Sequence, residues 1–318
     1  MNSKVKPLIE GGLLAALTTI LSLASIYLPV LGMLIEFFCA VPIVVLTARQ
    51  GVKIGAAAVF VSTIMLFMFV GPFLAIRITL TFGLCGLVLG QCLRLGFNAV
   101  KCFVPTLTVS FVAQLVSLAM LIIFFGIDVV GENQQLIRES FDESFKIYES
   151  MGVDPEVINY SKAATESIIQ LLTLLLPVIL FFTALINAAG SYLLSKMIFR
   201  KLNMKFAEPL PPFKQWRFPS DLLYVAAFAA IGIYWGETRQ IAMLYYVSAN
   251  ALVLSILIGL VQGLSVVSYV VERYKISKIL YGIFCVMVCL NFMLMLMVSI
   301  TGLFDIAFDY RKRIKVKK

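Results

Sequence analysis

Long apolar runs separated by short polar turns dominate the chain. We predict nine transmembrane helices, at roughly 8–28, 31–48, 53–71, 73–93, 103–126, 168–198, 220–236, 244–271 and 277–303. A helix of about 20 apolar residues crosses the hydrocarbon core of a bilayer. The alternating apolar and polar residues of a transmembrane β-strand do not recur along the sequence. The pattern predicts an all-α polytopic membrane protein of about nine spans, with eight to ten possible.

Two polar stretches divide these runs. The stretch 128–167 carries nine acidic residues and an apolar periodicity that predicts an amphipathic helix. It is either a solvated connector or a lid over an outward-facing cavity. The stretch 199–219 contains four prolines, which prevent a continuous helix. We therefore predict a six-helix block at 1–198 with an extracytoplasmic helical loop, a proline-rich cytoplasmic linker at 199–219, and a three-helix block at 220–318 with a basic tail.

The charges indicate the orientation. Lys and Arg number 26 against 17 Asp and Glu, and cytoplasmic loops of membrane proteins are enriched in Lys and Arg. A cytoplasmic N-terminus places most of these cations inside, so we predict a multi-pass protein of the bacterial cytoplasmic membrane in that orientation. Nine spans would nevertheless leave the tail RKRIKVKK outside. Either one span is re-entrant or split, or the last helix breaks the rule.

The composition argues against several kinds of chemistry. The chain has no histidine and six cysteines, and none of the cysteines forms a CxxC pair. A zinc or haem site and a histidine base therefore have little support. A phosphate-binding loop of the form GxxxxGK[ST] is absent from the sequence. We expect no enzyme activity, no cofactor, no metal and no nucleic-acid partner.

Polar side chains inside the predicted spans are the candidate ligand-binding residues. Glu36 and Arg77 each lie five residues beyond the outer boundary of a span, a depth of roughly 7–8 Å. Ionisable residues in a membrane usually face the bundle interior or a wet cavity, so an ion pair lining a solute site is one interpretation. Snorkelling of both side chains to the headgroups is the other. Gln114 and Asn187 are candidates for a polar cavity, although interhelical hydrogen bonding is their usual role.

Small residues mark one face of the first predicted helix. Gly11 and Ala15, and likewise Gly12 and Ala16, are four residues apart. Such spacing lets another helix approach closely. The face docks a partner protein or packs within the bundle, and the spacing does not distinguish the two.

Three segments carry a resemblance to a known family. They are IEGGLLAALTTILSLASIYLPVLG at the start, NALVLSILIGLVQGLSVVSYVVERY, and GLFDIAFDYRKR near the end. The chain resembles the YybS-like family of bacterial membrane proteins, a family of unknown function. Its first six spans are more remotely similar to the substrate-capture (S) components of energy-coupling factor transporters. That resemblance implies docking of a coupling transmembrane subunit through Gly11, Gly12, Ala15 and Ala16, with separate ATPases.

The S-component resemblance has departures. The link between the first two spans is very short, three further spans follow residue 198, and a vitamin-specific motif is absent from the sequence. We expect a transporter-type protein of the lipid bilayer that binds a small polar or zwitterionic solute from the outer side, with a coupling subunit and ATPases as possible partners. The alternative is a non-transporting envelope scaffold or membrane-complex partner.

Overall fold

The computed structural model describes residues 5–28, 30–126, 128–208 and 211–313. Part of the predicted linker, including Pro209, and residues 314–318 of the basic tail lie outside these ranges. In the described ranges the regular structure is entirely helical. The chain forms two compact units, Met1–Thr165 with Ile179–Leu210, and Glu166–Val178 with Pro211–Lys318. We call them the first and second units.

The helices follow one another with short connections. In the first part of the chain they are α1 Val5–Tyr27, α2 Leu31–Glu36, α3 Val41–Gln50, α4 Val52–Ile78, a π-helix Thr79–Gly83, α5 Leu84–Arg94, α6 Ala99–Phe125, α7 Val129–Ser150, α8 Pro155–Leu174 and α9 Leu176–Lys201. A 3₁₀ turn Phe213–Gln215 and the helices α10 Asp221–Thr238, α11 Ala242–Arg273, α12 Lys278–Leu290, α13 Phe292–Phe308 and α14 Tyr310–Arg313 complete the chain.

The polytopic helical prediction is confirmed, but the span count differs from nine. Five helices of the described chain are long and apolar enough to cross a membrane, or six if the bent pair α12–α13 is one span. One of the five is the 43-residue stretch Val52–Arg94, which corresponds to two of the predicted spans. The predicted second span is also divided, into α2 and α3.

The stretch Val52–Arg94 is a helical hairpin. Gly71 has φ 78° and ψ 172°, and Pro72 follows it. Glycine tolerates this positive φ, and proline disfavours a helical conformation of the residue before it. The Thr63 and Thr79 hydroxyls lie 2.7 Å apart, whereas 16 residues of straight helix would separate them by about 24 Å. The chain therefore reverses at Gly71, as the predicted boundary between 53–71 and 73–93 requires.

The predicted second span contains a tight turn at its middle. After α2, the backbone N–H groups of Phe38 and Cys39 donate to the carbonyls of Ile35 and Glu36 at 2.8 and 3.1 Å. These i to i+3 bonds are of the 3₁₀ type and tighten the chain. The segment from Leu31 to Gln50 is thus helical at both ends and continuous in hydrogen bonding.

The core of the first unit lies among α3, α5, α6 and α9. Val44, Leu89, Cys102 and Phe199 are almost fully buried there and pack together. The amphipathic helix predicted in the polar loop is confirmed as α7, whose N-terminus is capped by the Asp128 side chain. The predicted sixth span, 168–198, is instead divided between the end of α8 and α9.

In the second unit α10 and α11 form an antiparallel pair. A Cβ on Gly236 would meet the backbone of Tyr245, and one on Gly232 would overlap the Ser248 side chain. The helix α11 therefore ends near the start of α10, where Lys214 pairs with Glu272 at 2.5 Å. We call this end of the second unit, with residues 211–217, the linker end.

The last two helices do not form one straight span. The axes of α12 and α13 differ by 110°, and the bend falls at Asn291, whose side chain caps α13 by accepting from the Leu294 N–H. The helix α12 begins five residues after Arg273. Beyond α13, the Arg311 guanidinium donates to the Trp216 carbonyl at 3.0 Å. The chain thus enters and leaves this bent pair at the linker end.

The hairpin at Gly71 makes a cross-linking prediction. On a background without the native cysteines, Thr63→Cys with Thr79→Cys should form a disulfide on mild oxidation, because the native hydroxyls are in hydrogen-bond contact. Peptide mass spectrometry would detect it. The control pair is Val61→Cys with Thr79→Cys, since Val61 is on the exposed side of α4 and should not cross-link. Failure of the first pair to cross-link would contradict the hairpin.

Candidate functional site

The structure does not bring Glu36 and Arg77 together. Glu36 ends α2 and is half-buried, and Arg77 is exposed in the last turn of α4. Among the described residues, the ion pairs include neither side chain. The structure therefore gives no support to an intramembrane pair of Glu36 and Arg77. Snorkelling of these side chains to the headgroups and contact of either residue with a solute both stay predictions.

The small-residue face of α1 is divided between two environments. Gly11 and Ala15 are buried, and the Ser62 hydroxyl of α4 donates to the Ala15 carbonyl at 3.1 Å. Gly12 is exposed, and an added Cβ there would meet nothing within 4 Å. Ala16 is half-buried. Intramolecular packing therefore uses Gly11 and Ala15, whereas Gly12 and Ala16 stay available on the outer side of the helix.

A cavity among α1, α3, α4 and the π-helix is too small for a solute. Its volume is about 10 Å³, close to the minimum that holds one water molecule. Thr18, Ser62 and Thr79 contribute hydroxyls to its wall. Glu36 and Arg77 are not among its lining residues. This cavity therefore does not serve the ligand site expected from the two charges.

Buried serine hydroxyls lie along α6 and α9. Ser110 and Ser195 are fully buried and Ser117 nearly so. In the described part of the chain, these three hydroxyl oxygens have no hydrogen-bond partner. The Ser191 hydroxyl, also buried, lies next to the Cys85 thiol, a weak hydrogen-bonding group. We call the line formed by these residues with Gln114 and Asn187 the polar seam.

Two aromatic contacts fix the register of the polar seam. The rings of Phe103 and Tyr192 lie 6.1 Å apart, and those of Phe111 and Phe181 lie 5.8 Å apart. The helices α6 and α9 are therefore antiparallel, with Ser195 near the start of α6. From that level to Ser117 the seam follows about 18 residues, or roughly 27 Å. This length is close to the thickness of a hydrocarbon core, about 30 Å.

Gln114 and Asn187, the residues predicted from the sequence to line a polar cavity, lie on α6 and α9. Asn187 is buried at 7% exposure, and Gln114 is half-buried. Between these two described side chains there is no hydrogen bond, which fits their positions at different levels of the antiparallel pair. The prediction that they line a polar cavity is untested by this geometry alone.

A buried carboxylate in the second unit was missed by sequence reasoning. Asp305 of α13 and Gln262 of α11 are both 0% exposed. The Gln262 amide donates to Asp305 Oδ2 at 2.6 Å, and Arg311 Nε lies 3.3 Å from the same oxygen. Within the described chain, Asp305 Oδ1 has no hydrogen-bond partner. We call Gln262, Asp305 and Arg311 the carboxylate clasp.

The carboxylate clasp also holds the linker. The Arg311 guanidinium donates to the carbonyls of Lys214 and Trp216 at 2.5 and 3.0 Å and to the Ser265 hydroxyl at 3.1 Å. The Phe218 N–H donates to the Gln262 side-chain oxygen at 3.3 Å. The proline-rich linker cannot form a helix, so two of its backbone carbonyls accept hydrogen bonds from the Arg311 guanidinium instead. The clasp connects the linker, α11 and the end of α13.

Three glycines allow the clasp to form. A Cβ on Gly302 would overlap the backbone oxygen of Gly259, and one on Gly263 would overlap the Val298 carbonyl oxygen. The backbones of α11 and α13 are therefore in direct contact, as small residues permit in membrane helices. Gln262 lies between two of these glycines in the segment GLVQG. The spacing of Gly259 and Gly263, four residues apart, indicates a close helix contact near Gln262. It does not identify Asp305 as the partner of Gln262.

The carboxylate clasp predicts a coupled effect on stability. Asp305→Asn and Arg311→Gln should each lower the Tm in detergent, because loss of one partner leaves the other charge buried, which costs about 3–5 kcal/mol. The double variant should lose less than the two single losses combined. Thermal unfolding of the four proteins measures this. Strictly additive losses would contradict direct coupling.

The pair Glu36→Leu and Arg77→Leu is the matched control for this cycle. These two side chains are not in contact, so their effects on Tm should be small and additive. Recovery in the Glu36 and Arg77 double variant would instead show the ion pair that the sequence suggested. The same measurement thus separates the two candidate pairs.

Comparisons with known proteins agree with the fold. The chain is similar to the "Uncharacterized protein YybS" of Bacillus subtilis (strain 168), at 23% identity over 313 residues that cover 98% of this chain and 99% of that protein. No solved structure matches it. The resemblance to S components is not confirmed by these matches. A family model described as "Predicted membrane protein (DUF2232)" matches residues 16–306, and the chain therefore belongs to this family of predicted membrane proteins.

Proposed function

We propose that the protein is of transporter type and admits a small polar or zwitterionic solute along the polar seam of its first unit. We place it in the bacterial cytoplasmic membrane with the N-terminus in the cytoplasm. The observation that carries the proposal is the set of buried hydroxyls that have no protein partner. Outside a water-filled or solute-filled path, such groups lose hydrogen bonds that hydrocarbon cannot replace.

The composition of the polar seam determines the kind of solute. Hydroxyl and amide groups both donate and accept hydrogen bonds, and Ser110, Ser117, Asn187, Ser191 and Ser195 are all uncharged. A solute with a large net charge would find no compensating charge among these side chains. A neutral or zwitterionic solute, which needs several hydrogen bonds, suits them better. The expectation of a polar or zwitterionic solute is therefore kept, but the site moves from Glu36 and Arg77 to the seam.

The role of a substrate-capture component is a narrower proposal. It requires a coupling subunit. On α1, Gly12 is exposed and Ala16 is half-buried, so this face is the candidate contact for that subunit. The helical hairpin of α7 and α8 would then lie over the outer mouth as a lid. Both statements depend on partners and orientation, and the seam proposal holds without them.

A non-transporting scaffold is the second candidate. A specific observation favours it: the cavity among α1, α3, α4 and the π-helix has room for about one water, so it leaves no space there for a solute. In a scaffold, the seam serines would pack as small residues, and Gly12 with Ala16 would contact a membrane-protein partner. The two functions differ in whether water reaches the seam.

Water access to the polar seam is the test. On a background without native cysteines, Ser110→Cys and Ser191→Cys should react with a small charged methanethiosulfonate reagent, since such reagents need a hydrated thiolate. The matched control is Thr108→Cys, because Thr108 is exposed on the other side of α6 and would face lipid without water. Mass spectrometry of the labelled protein gives the extent of reaction.

The two candidate functions predict different outcomes. A hydrated seam gives strong labelling at positions 110 and 191 and little at 108, and a polar solute that occupies it should slow the labelling. Betaine, serine and glycerol are suitable first probes of the zwitterionic and neutral classes. Equal, slow labelling at all three positions would show a dry, packed seam and would reject the transport proposal in favour of the scaffold.

A further inference from the structure

We infer that the linker end of the second unit is a binding surface for anionic phospholipid headgroups. The surface combines the linker, the last turn of α11 and the start of the basic tail. It is independent of the polar seam, which belongs to the first unit. Most carboxylates at this end are already paired with cations, so the remaining cations are free to contact a lipid headgroup.

Three acidic side chains at the linker end are paired with cations. Glu272 pairs with Lys214 at 2.5 Å, and Asp309 pairs with Arg217 at 2.9 Å. Asp305 is held by Arg311 in the carboxylate clasp. Asp221, in the first turn of α10, is exposed at the same end, and among the described residues it takes part in no ion pair. Its charge offsets one of the remaining cations, whereas the three paired carboxylates offset none of them.

Two cations of the same end lack such partners. Arg273 and Lys275 are exposed at the end of α11, and within the described residues neither takes part in an ion pair. In the sequence, this segment and the tail carry further basic residues. The fixed position of Arg311 against the Trp216 carbonyl brings the beginning of the tail to the linker. A local excess of positive charge results.

The surface lies at the ends of membrane helices. Tyr274, next to Arg273, is 56% exposed, and Trp216 is half-buried with its ring N–H donating to the Pro211 carbonyl at 2.9 Å. Tyrosine and tryptophan are typical of the headgroup level of a bilayer. Clusters of Lys and Arg beside transmembrane helices attract anionic lipids, within a Debye length of the membrane surface. An anionic phospholipid headgroup therefore fits both the charge and the depth.

The clasp gives this surface its shape. Without it, the bent pair α12–α13 could release the tail, and the linker carbonyls of Lys214 and Trp216 would lose their donor. With it, cations from three separate parts of the sequence face the same lipid leaflet. A phosphate group shared between Arg273 and Lys275 would receive charge-assisted hydrogen bonds from both.

Thermal stability of the full-length protein in added lipid tests the inference. In neutral detergent, phosphatidylglycerol should raise the Tm clearly, and phosphatidylcholine should raise it much less. Arg273→Gln combined with Lys275→Gln should lose most of this difference. The matched control is Arg239→Gln, which removes an exposed cation at the opposite end of α11 and should keep the response. Lipid mass spectrometry of the purified proteins should show several-fold less phosphatidylglycerol only in the double variant.

Each other outcome contradicts the inference. Equal stabilisation by phosphatidylcholine would show that headgroup charge is irrelevant. Equal stabilisation by inorganic phosphate alone would assign the surface to free phosphate rather than to lipid. An equal loss in Arg239→Gln would show a response to total charge. The double variant could be less stable even without lipid. In that case the phosphatidylglycerol that copurifies with it is the deciding measurement. A content equal to that of the unaltered protein rejects the site.

Discussion

A carboxylate buried within a membrane helix bundle must find its partners in the protein, because hydrocarbon offers none. The second unit is organised around this constraint at Asp305. The backbones of α11 and α13 touch at Gly259, Gly263 and Gly302, and this contact brings Gln262 to the carboxylate. Arg311 then supplies the opposite charge and carries two linker carbonyls with it. The path of the chain after α11 follows from these partners.

Buried polar side chains differ between the two units in their hydrogen-bond partners. In the second unit the carboxylate clasp satisfies most of its polar atoms internally, which suits a fixed structural joint. In the first unit the hydroxyls of Ser110, Ser117 and Ser195 have no partner in the described chain, which suits a path that water or a solute occupies. The unpaired serine hydroxyls of the first unit are the physical basis of the transport proposal, and the ion pair of the carboxylate clasp gives the second unit a structural joint.

Sequence periodicity predicted most helices but not the contacts between them. The reversal at Gly71 was predictable, because a glycine–proline pair interrupts a run too long for one span. The bend at Asn291 was not, because a single asparagine in an apolar run is compatible with a straight helix. Equal depth and opposite charge suggested a pair of Glu36 and Arg77 as one of two interpretations, but depth along a helix does not determine which neighbour a side chain meets. Asp305 lies just beyond the predicted span 277–303 and was not singled out, because its burial depends on a distant glycine contact.

The account depends most on the return of the chain to the linker end, since the clasp can form only if Arg311 and the linker lie on one side of the membrane. Sided labelling of single cysteines in intact membrane vesicles measures this directly, at Gln215 in the linker, Lys312 after the clasp, and Thr238 in the turn between α10 and α11. The account predicts that positions 215 and 312 react from the same side and position 238 from the opposite side. Reaction of position 312 from the side of position 238 would show that α12–α13 completes a crossing, and would contradict the clasp.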